Sequence, residues 1–157
     1  MSINLRVHKL HPDAKLPEYA HVDDSGMDVF AIEDVTIPGN HQPHFTGTFI
    51  AEFNIPYAVV NTGLSFEIPQ GYEIQVRSKS GLAVKGGLFV LNSPGTIDEG
   101  YRGELAVILG NINPNNYFIQ KGQKIAQIVL APVTKATIIE MNTNETRQAN
   151  GFGSTGL

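Results

Sequence analysis

An all-β fold, a sandwich or a barrel-like closure, is what this sequence predicts. Its apolar residues fall in short period-two runs, β-branched residues are frequent, and 16 glycines and 9 prolines recur along the whole chain. The run TGLSFEIPQGYEIQVRS reads as two strands. Leu64, Phe66 and Ile68 share one face of the first, and Tyr72, Ile74 and Val76 alternate after a Pro69-Gln70-Gly71 turn. GLFVLNS, GELAVILGN and GQKIAQIVLAPV read as three more strands, separated by Gly, Pro and Asn. SGLAVKG is the one helical stretch, a turn or two with Ser80 as a possible N-cap. Residues from about Asn40 to Ala58 (NHQPHFTGTFIAEFNIPYA) fit no template. From Asn142 onward periodicity stops, and the chain reads as a mobile tail.

The 157 residues suit one domain, which at this size buries roughly 70% of its unfolded surface. Hydrophobic residues make up 41% and charged residues 17%, a globular composition. The net charge of -4 implies no basic face for nucleic acid. The absence of cysteine excludes disulfides, thiolate metal sites and a thiol nucleophile. MSINLRVHKL lacks an apolar signal core and no apolar run reaches bilayer length. No membrane partner is expected, and the cytoplasm (the host's, for a viral chain) is the expected location.

Four stretches could carry chemistry. NSPGTIDEGYRGEL sets Asn92, Asp98, Tyr101 and Arg102 among glycines in what looks like a hairpin, and a carboxylate held in a turn can serve as a general base. Alone, it also reads as ordinary turn formers. RSKSGLAVKGG puts Arg77, Ser78, Lys79 and Ser80 before the helical turn, either an anion site or a strand end with solvated charges. NGFGSTG could wrap phosphate with backbone N–H groups and the Ser154 and Thr155 hydroxyls. It lacks the Gly-Lys-Ser/Thr and following helix of a P-loop, and alone it reads as a tail. DDSGMDVFA clusters Asp23, Asp24 and Asp28, a possible Mg²⁺ site that more simply reads as a turn entering a strand. The five histidines, His41 and His44 included, show no metal-ligand spacing.

Taken in order, these stretches resemble the five motifs of the trimeric dUTP diphosphatase (dUTPase) family. They are SGMDVFA (Ser25 to Ala31), SKSGLA (Ser78 to Ala83), GTIDEGYRGE (Gly95 to Glu104), GQKIAQIV (Gly122 to Val129) and RQANGFGSTG (Arg147 to Gly156). The match spans nearly the whole chain in the right order. It implies an all-β, jelly-roll-like (β-clip) subunit over residues 1–141 and a C-terminal arm over 142–157; the stretch at about 40–58 departs from it as an insertion longer than the usual family connection. It also implies a homotrimer with active sites shared between subunits. The implied reaction takes dUTP and water to dUMP and pyrophosphate, clearing dUTP and supplying dUMP for thymidylate synthesis.

By that resemblance, Asp98 is the base that activates water against the α-phosphorus. Tyr101 lies against the deoxyribose and excludes a 2′-hydroxyl. Asn92 and the backbone of Gly95, Thr96 and Ile97 bind uracil. Lys79, Ser80 and Gly81 hold phosphates, Gln127 holds phosphate or the attacking water, and Arg147 pairs with the outer phosphates. Phe152 stacks on uracil, and Gly153, Ser154 and Thr155 wrap the γ-phosphate. Asp28, Arg77 and Arg102 support the site. Mg²⁺ is the implied cofactor, held by substrate phosphates and water rather than by side chains.

The chain departs from the family pattern in two motifs. Ser78 and Lys79 stand where Pro-Arg is common, keeping the charge but losing the bidentate fork. Gln148 and Asn150 stand where the fifth motif usually has glycine. The fold-sharing dCTP deaminases are the nearest enzymatic alternative, but their catalytic glutamate position falls on Ile108 here and their second-motif arginine is missing. A non-catalytic regulatory module on the same scaffold is the alternative from another class, against which the intact Asp98, Tyr101 and fifth motif argue.

Overall fold

The computed structural model describes residues 3–40 and 55–140. Over these residues the chain forms β1 (Arg6–Lys9), β2 (Met27–Phe30), β3 (Val35–Ile37), β4 (Tyr57–Asn61), β5 (Leu64–Glu67), β6 (Tyr72–Arg77), α1 (Ser80–Gly86), β7 (Leu88–Val90), β8 (Gly95–Ile97), β9 (Ala106–Asn111), β10 (Tyr117–Ile119) and β11 (Lys124–Pro132). The expected all-β, jelly-roll-like architecture is borne out, and the one helix falls on SGLAVKG. β4 takes in the last two residues of the stretch left unplaced by sequence; residues 41–54 lie outside the described residues.

The strands pair in the orders β2-β11-β6-β8 and β4-β9-β7, with two ribbons, β1-β5 and β10-β3. Every pairing is antiparallel. The period-two pattern explains how the two larger sheets build one core. Val29, Ile74, Val76, Ile125 and Ile128 point inward from the first, and Val60, Leu88, Val90, Val107 and Leu109 from the second. Each such side chain contributes about 1.5–3 kcal/mol on leaving water. A fully buried amide pins one end of the sandwich: Asn111 Nδ2 donates to the Pro38 and Asn115 carbonyls, both at 3.0 Å, and its Oδ1 accepts from the Asn113 N–H at 2.9 Å.

Two expectations need correcting. NSPGTIDEGYRGEL is not a self-paired hairpin. Its strand β8 pairs instead with β6, Gly95 opposite Val76 and Ile97 opposite Ile74, while the preceding β7 pairs with β9 in the other sheet. The chain therefore crosses between sheets at Leu91–Pro94, because Leu88 and Val90 bury into one layer and Gly95 into the other. Ser80 is not the N-cap of α1. Lys79 holds that position with extended dihedrals, φ −89° and ψ 124°, and no side chain caps the helix. The Ser80 hydroxyl stays exposed instead of being consumed by the backbone.

Candidate active site

Sheet register brings the first, third and fourth motifs into two adjacent rows, and the second motif follows directly on Arg77. Asp28 on β2 lies opposite Gln127 on β11, and Gln127 opposite Arg77 on β6. One step along, Met27, Ile128, Val76 and Gly95 form the next row. Side chains opposite one another in antiparallel strands share a face, so Asp28 and Gln127 project together.

Gln127 closes over this row. Its Nε2 donates to the Ser78 carbonyl at 3.1 Å, and its side chain lies across Gly26, where a Cβ would come within 3.1 Å of Gln127 Cδ and closer still to Oε1. Ser78 Oγ in turn accepts the Val90 N–H at 2.9 Å, fixing the bend between β6 and α1. Lys79 leaves that bend and pairs with Asp28 Oδ1, while Lys124 sits 2.8 Å from Asp28 Oδ2. The Asp28 carboxylate is only 7% exposed. Burial pushes its pKa up, but the Lys124 and Lys79 ammonium groups outweigh burial and hold it below the ordinary value. The same contact, with Glu18 at 3.3 Å adding to it, raises the pKa of Lys124. Lys124 and Glu18 were not singled out by sequence. Only the register of β11 reveals that Lys124 faces Asp28.

Arg77, expected to support the site, turns back along its own strand and donates to Gln75 Oε1 at 2.6 and 3.2 Å. Ser80 and Gly81 are exposed at the start of α1, and open space surrounds the position of a Cβ on Gly81.

The third motif forms a second wall. Gly95 is buried against Asn92, whose Nδ2 lies 3.2 Å from where a Cβ would stand, so any larger residue would push the amide away. Thr96 is exposed and Ile97 half-buried on β8. Asp98 follows at once and is exposed beside a cavity of about 300 Å³, whose lining includes Gly71, Glu73, Glu99 and Lys135. Its carboxylate makes no hydrogen bond or ion pair with the described residues. Its turn is nonetheless rigid. Gly71 N–H donates to Glu99 Oε2 at 3.0 Å, Arg102 Nη1 donates to the Glu99 and Tyr101 carbonyls at 2.6 and 2.9 Å, and Ser65 Oγ donates to the Arg102 carbonyl at 2.9 Å. Tyr101 is 46% exposed and folds back over Gly103, its hydroxyl donating to the Glu104 carbonyl at 3.1 Å.

The two walls stand toward opposite ends of β6. β8 runs antiparallel to β6, so Asp98 stands abreast of Glu73 at the start of β6, whereas Lys79 lies beyond its end. At roughly 3.3 Å per residue, the six steps from Glu73 to Lys79 span up to about 20 Å of backbone. Arg147, Phe152, Gly153, Ser154 and Thr155 lie outside the described residues. No helix among the described residues is long and apolar enough to cross a membrane.

Comparison with known proteins places this geometry in context. The family model described as dUTPase matches residues 48–156. A deoxyuridine 5'-triphosphate nucleotidohydrolase of Clostridium tetani is 46% identical over 155 residues, covering 97% of this chain and 96% of that protein. One from Hydrogenobaculum sp. is 45% identical over 157 residues, covering 99% of each. Among solved structures, a variant of the Staphylococcus bacteriophage 80alpha dUTPase with dUpNHpp superposes with a TM-score of 0.78 at 26% identity, covering 99% of this chain and 100% of that one. A dUTPase variant from phage phi11 of S. aureus, whose structure details the coordination of a structural Mg(II) ion, gives 0.74 at 25% identity, over 90% of this chain and 99% of that one.

Proposed function

This chain belongs to the dUTPase family, and on that premise we propose that it hydrolyses dUTP to dUMP and pyrophosphate by attack of water on the α-phosphorus. The observation that carries the mechanism is Asp98: an exposed carboxylate, unpaired with any described residue, on a turn tied down by Glu99 and Arg102 at the edge of a cavity. Such a group is free to take a proton from water, and its backbone is held still while it does so. Asn92 and the β8 backbone would read uracil, leaving buried polar groups unpaired against cytosine. Tyr101, packed on Gly103, would press on the deoxyribose and exclude a 2′-hydroxyl.

Lys79, Ser80, Gly81 and Gln127 would grip the phosphates. The Ser80 hydroxyl is not spent on capping, which leaves it for a ligand. Arg147 would meet the outer phosphates, Phe152 would cover the base, and Gly153, Ser154 and Thr155 would wrap the γ-phosphate. Mg²⁺ fits this donor set as a partner of the triphosphate. Both Asp28 oxygens are engaged by lysines, and the described residues offer no cluster of three metal-binding side chains. When bound with its waters, Mg²⁺ would supply charge neutralisation to the leaving pyrophosphate, while Lys79, Ser80 and Gln127 hold the phosphates.

The site is completed between subunits of a homotrimer. The placement of Asp98 and Lys79 toward opposite ends of β6 supports this, since closed threefold symmetry lets one subunit's base meet another's phosphate grip. Ile138 and Ile139, 94% and 76% exposed, give the segment after β11 apolar surface that a neighbour could cover. The test is pyrophosphate release with Mg²⁺ from dUTP, dCTP, dTTP and UTP in parallel. Turnover restricted to dUTP is expected, and a protein that left dUTP intact would refute the reading.

A further inference from the structure

Lys124 reaches Asp28 because β11 is irregular. Across β2 and β11, Gln127 opposes Asp28 and Ala126 opposes Val29, but Lys124 rather than Ile125 opposes Phe30. Ile125 is the extra residue of a β-bulge. In a regular ladder Ile125 would share the face of Asp28 and Gln127, and Lys124 would point into the core. The bulge reverses both: Ile125 is fully buried, and the Lys124 ammonium lies on the Asp28 face. It sits 5.8 Å from the Phe30 ring centre, with Lys15 at 5.2 Å. Lys15 and Lys124 thus flank the Phe30 ring, Lys79 and Lys124 share Asp28, and Glu18 lies beside Lys124.

We propose that Lys124 is a positioning residue for the phosphate grip, and that Glu18 opposes it. Lys124 occupies one Asp28 oxygen, so the carboxylate does not bind Lys79 alone, and Lys79 is left with charge to spend on phosphate. Glu18, exposed and 3.3 Å from Lys124, offsets part of that charge. The inference rests on the phosphate role of Lys79 given above. It adds two residues outside that assignment and requires that their effects have opposite signs.

The test uses the full-length protein and its variants Lys124→Met, Lys124→Arg and Glu18→Gln. Steady-state dUTP hydrolysis gives KM and kcat, and calorimetry gives Kd for the non-hydrolysable α,β-imido analogue of dUTP with Mg²⁺. Lys124→Met should raise KM and Kd about tenfold, with kcat within about twofold, as expected when one unit charge leaves the cluster that frees Lys79 for a polyanion. Lys124→Arg should restore most of the loss. Glu18→Gln should lower KM and Kd about twofold, and both shifts should shrink in high salt. The inference is overturned if Lys124→Met lowers the melting temperature but leaves KM and Kd unchanged, or if Glu18→Gln moves them in the same direction as Lys124→Met. If the parent protein binds the analogue with these shifts yet does not hydrolyse dUTP, the positioning role stands and the assigned reaction falls.

Discussion

Gln127 Nε2 donates to the Ser78 carbonyl at 3.1 Å, joining the fourth motif to the second across adjacent strands of one sheet. Only a glycine at position 26 permits it, because a Cβ there would overlap the Gln127 amide. Gly26→Ala should therefore displace Gln127 rather than unfold the sheet. Stability should fall by about 1 kcal/mol, as for a typical single substitution. The catalytic efficiency toward dUTP should fall at least tenfold if Gln127 holds phosphate, since about 1.4 kcal/mol of lost contact gives that factor. Thermal melts and steady-state kinetics on the same preparation separate the two effects.

Asp98 carries the proton transfer in the proposed reaction, while its turn is held by Glu99, Arg102 and Ser65 through other atoms. Asp98→Asn should leave that turn intact and remove the base. The rate constant kcat should fall about 10²–10⁴-fold, with KM for dUTP within a few-fold. A variant that kept the parental kcat would remove Asp98 from the mechanism.

The sequence made some of this legible and hid the rest for physical reasons. Leu64, Phe66, Ile74 and Val76 announce their strands because alternate residues enter one core, and that pattern is local. β1 and β8 carry no such signal: Arg6 and Lys9 are exposed, and β8 is three residues with a glycine. Pairing between β8 and β6, or β2 and β11, is a matter of tertiary register, invisible to spacing alone. Asp98 and Lys79 were found through ordered motifs, but their separation required the strand directions. Lys124 was missed because a bulge breaks the two-residue period on which any facing argument depends.

The Asp28 pairs predict a specific acid limb. Its folded-state pKa is depressed below the ordinary 3.8, so its contribution to stability is complete above that value and is lost as pH falls through the lower, folded-state value. Asp28→Asn should be less stable than the parent at neutral pH, because Lys79 and Lys124 lose their shared carboxylate. The gap in urea unfolding free energy should stay constant above about pH 5 and close in more acidic solution. A gap that persisted unchanged at about pH 2 would mean that the Asp28 charge contributes nothing to it.

Asn111 is fully buried with both ends of its amide engaged, holding the Pro38 and Asn113–Asn115 segments together. Asn111→Leu would leave two carbonyls and one N–H without partners inside the protein. The expected loss is about 1–3 kcal/mol, since the buried amide is lost while water reaches part of what its half-exposed partners need. Because none of the Asn111 partners is a proposed site residue, kcat at low temperature should stay near the parental value. Chemical denaturation and low-temperature kinetics check both halves.

The placement of Asp98 and Lys79 toward opposite ends of β6 gives the strongest test of site sharing. Asp98→Asn and Gln127→Ala each disable one wall. Co-expressed in equal amounts, the two chains should assemble at random into closed trimers, and a site that draws its walls from two subunits then has an intact pair about one time in four. The mixture should recover about a quarter of parental activity, far above either variant alone. If both walls came from one subunit, no site in any mixed trimer would be whole, and the mixture would stay as inactive as its components.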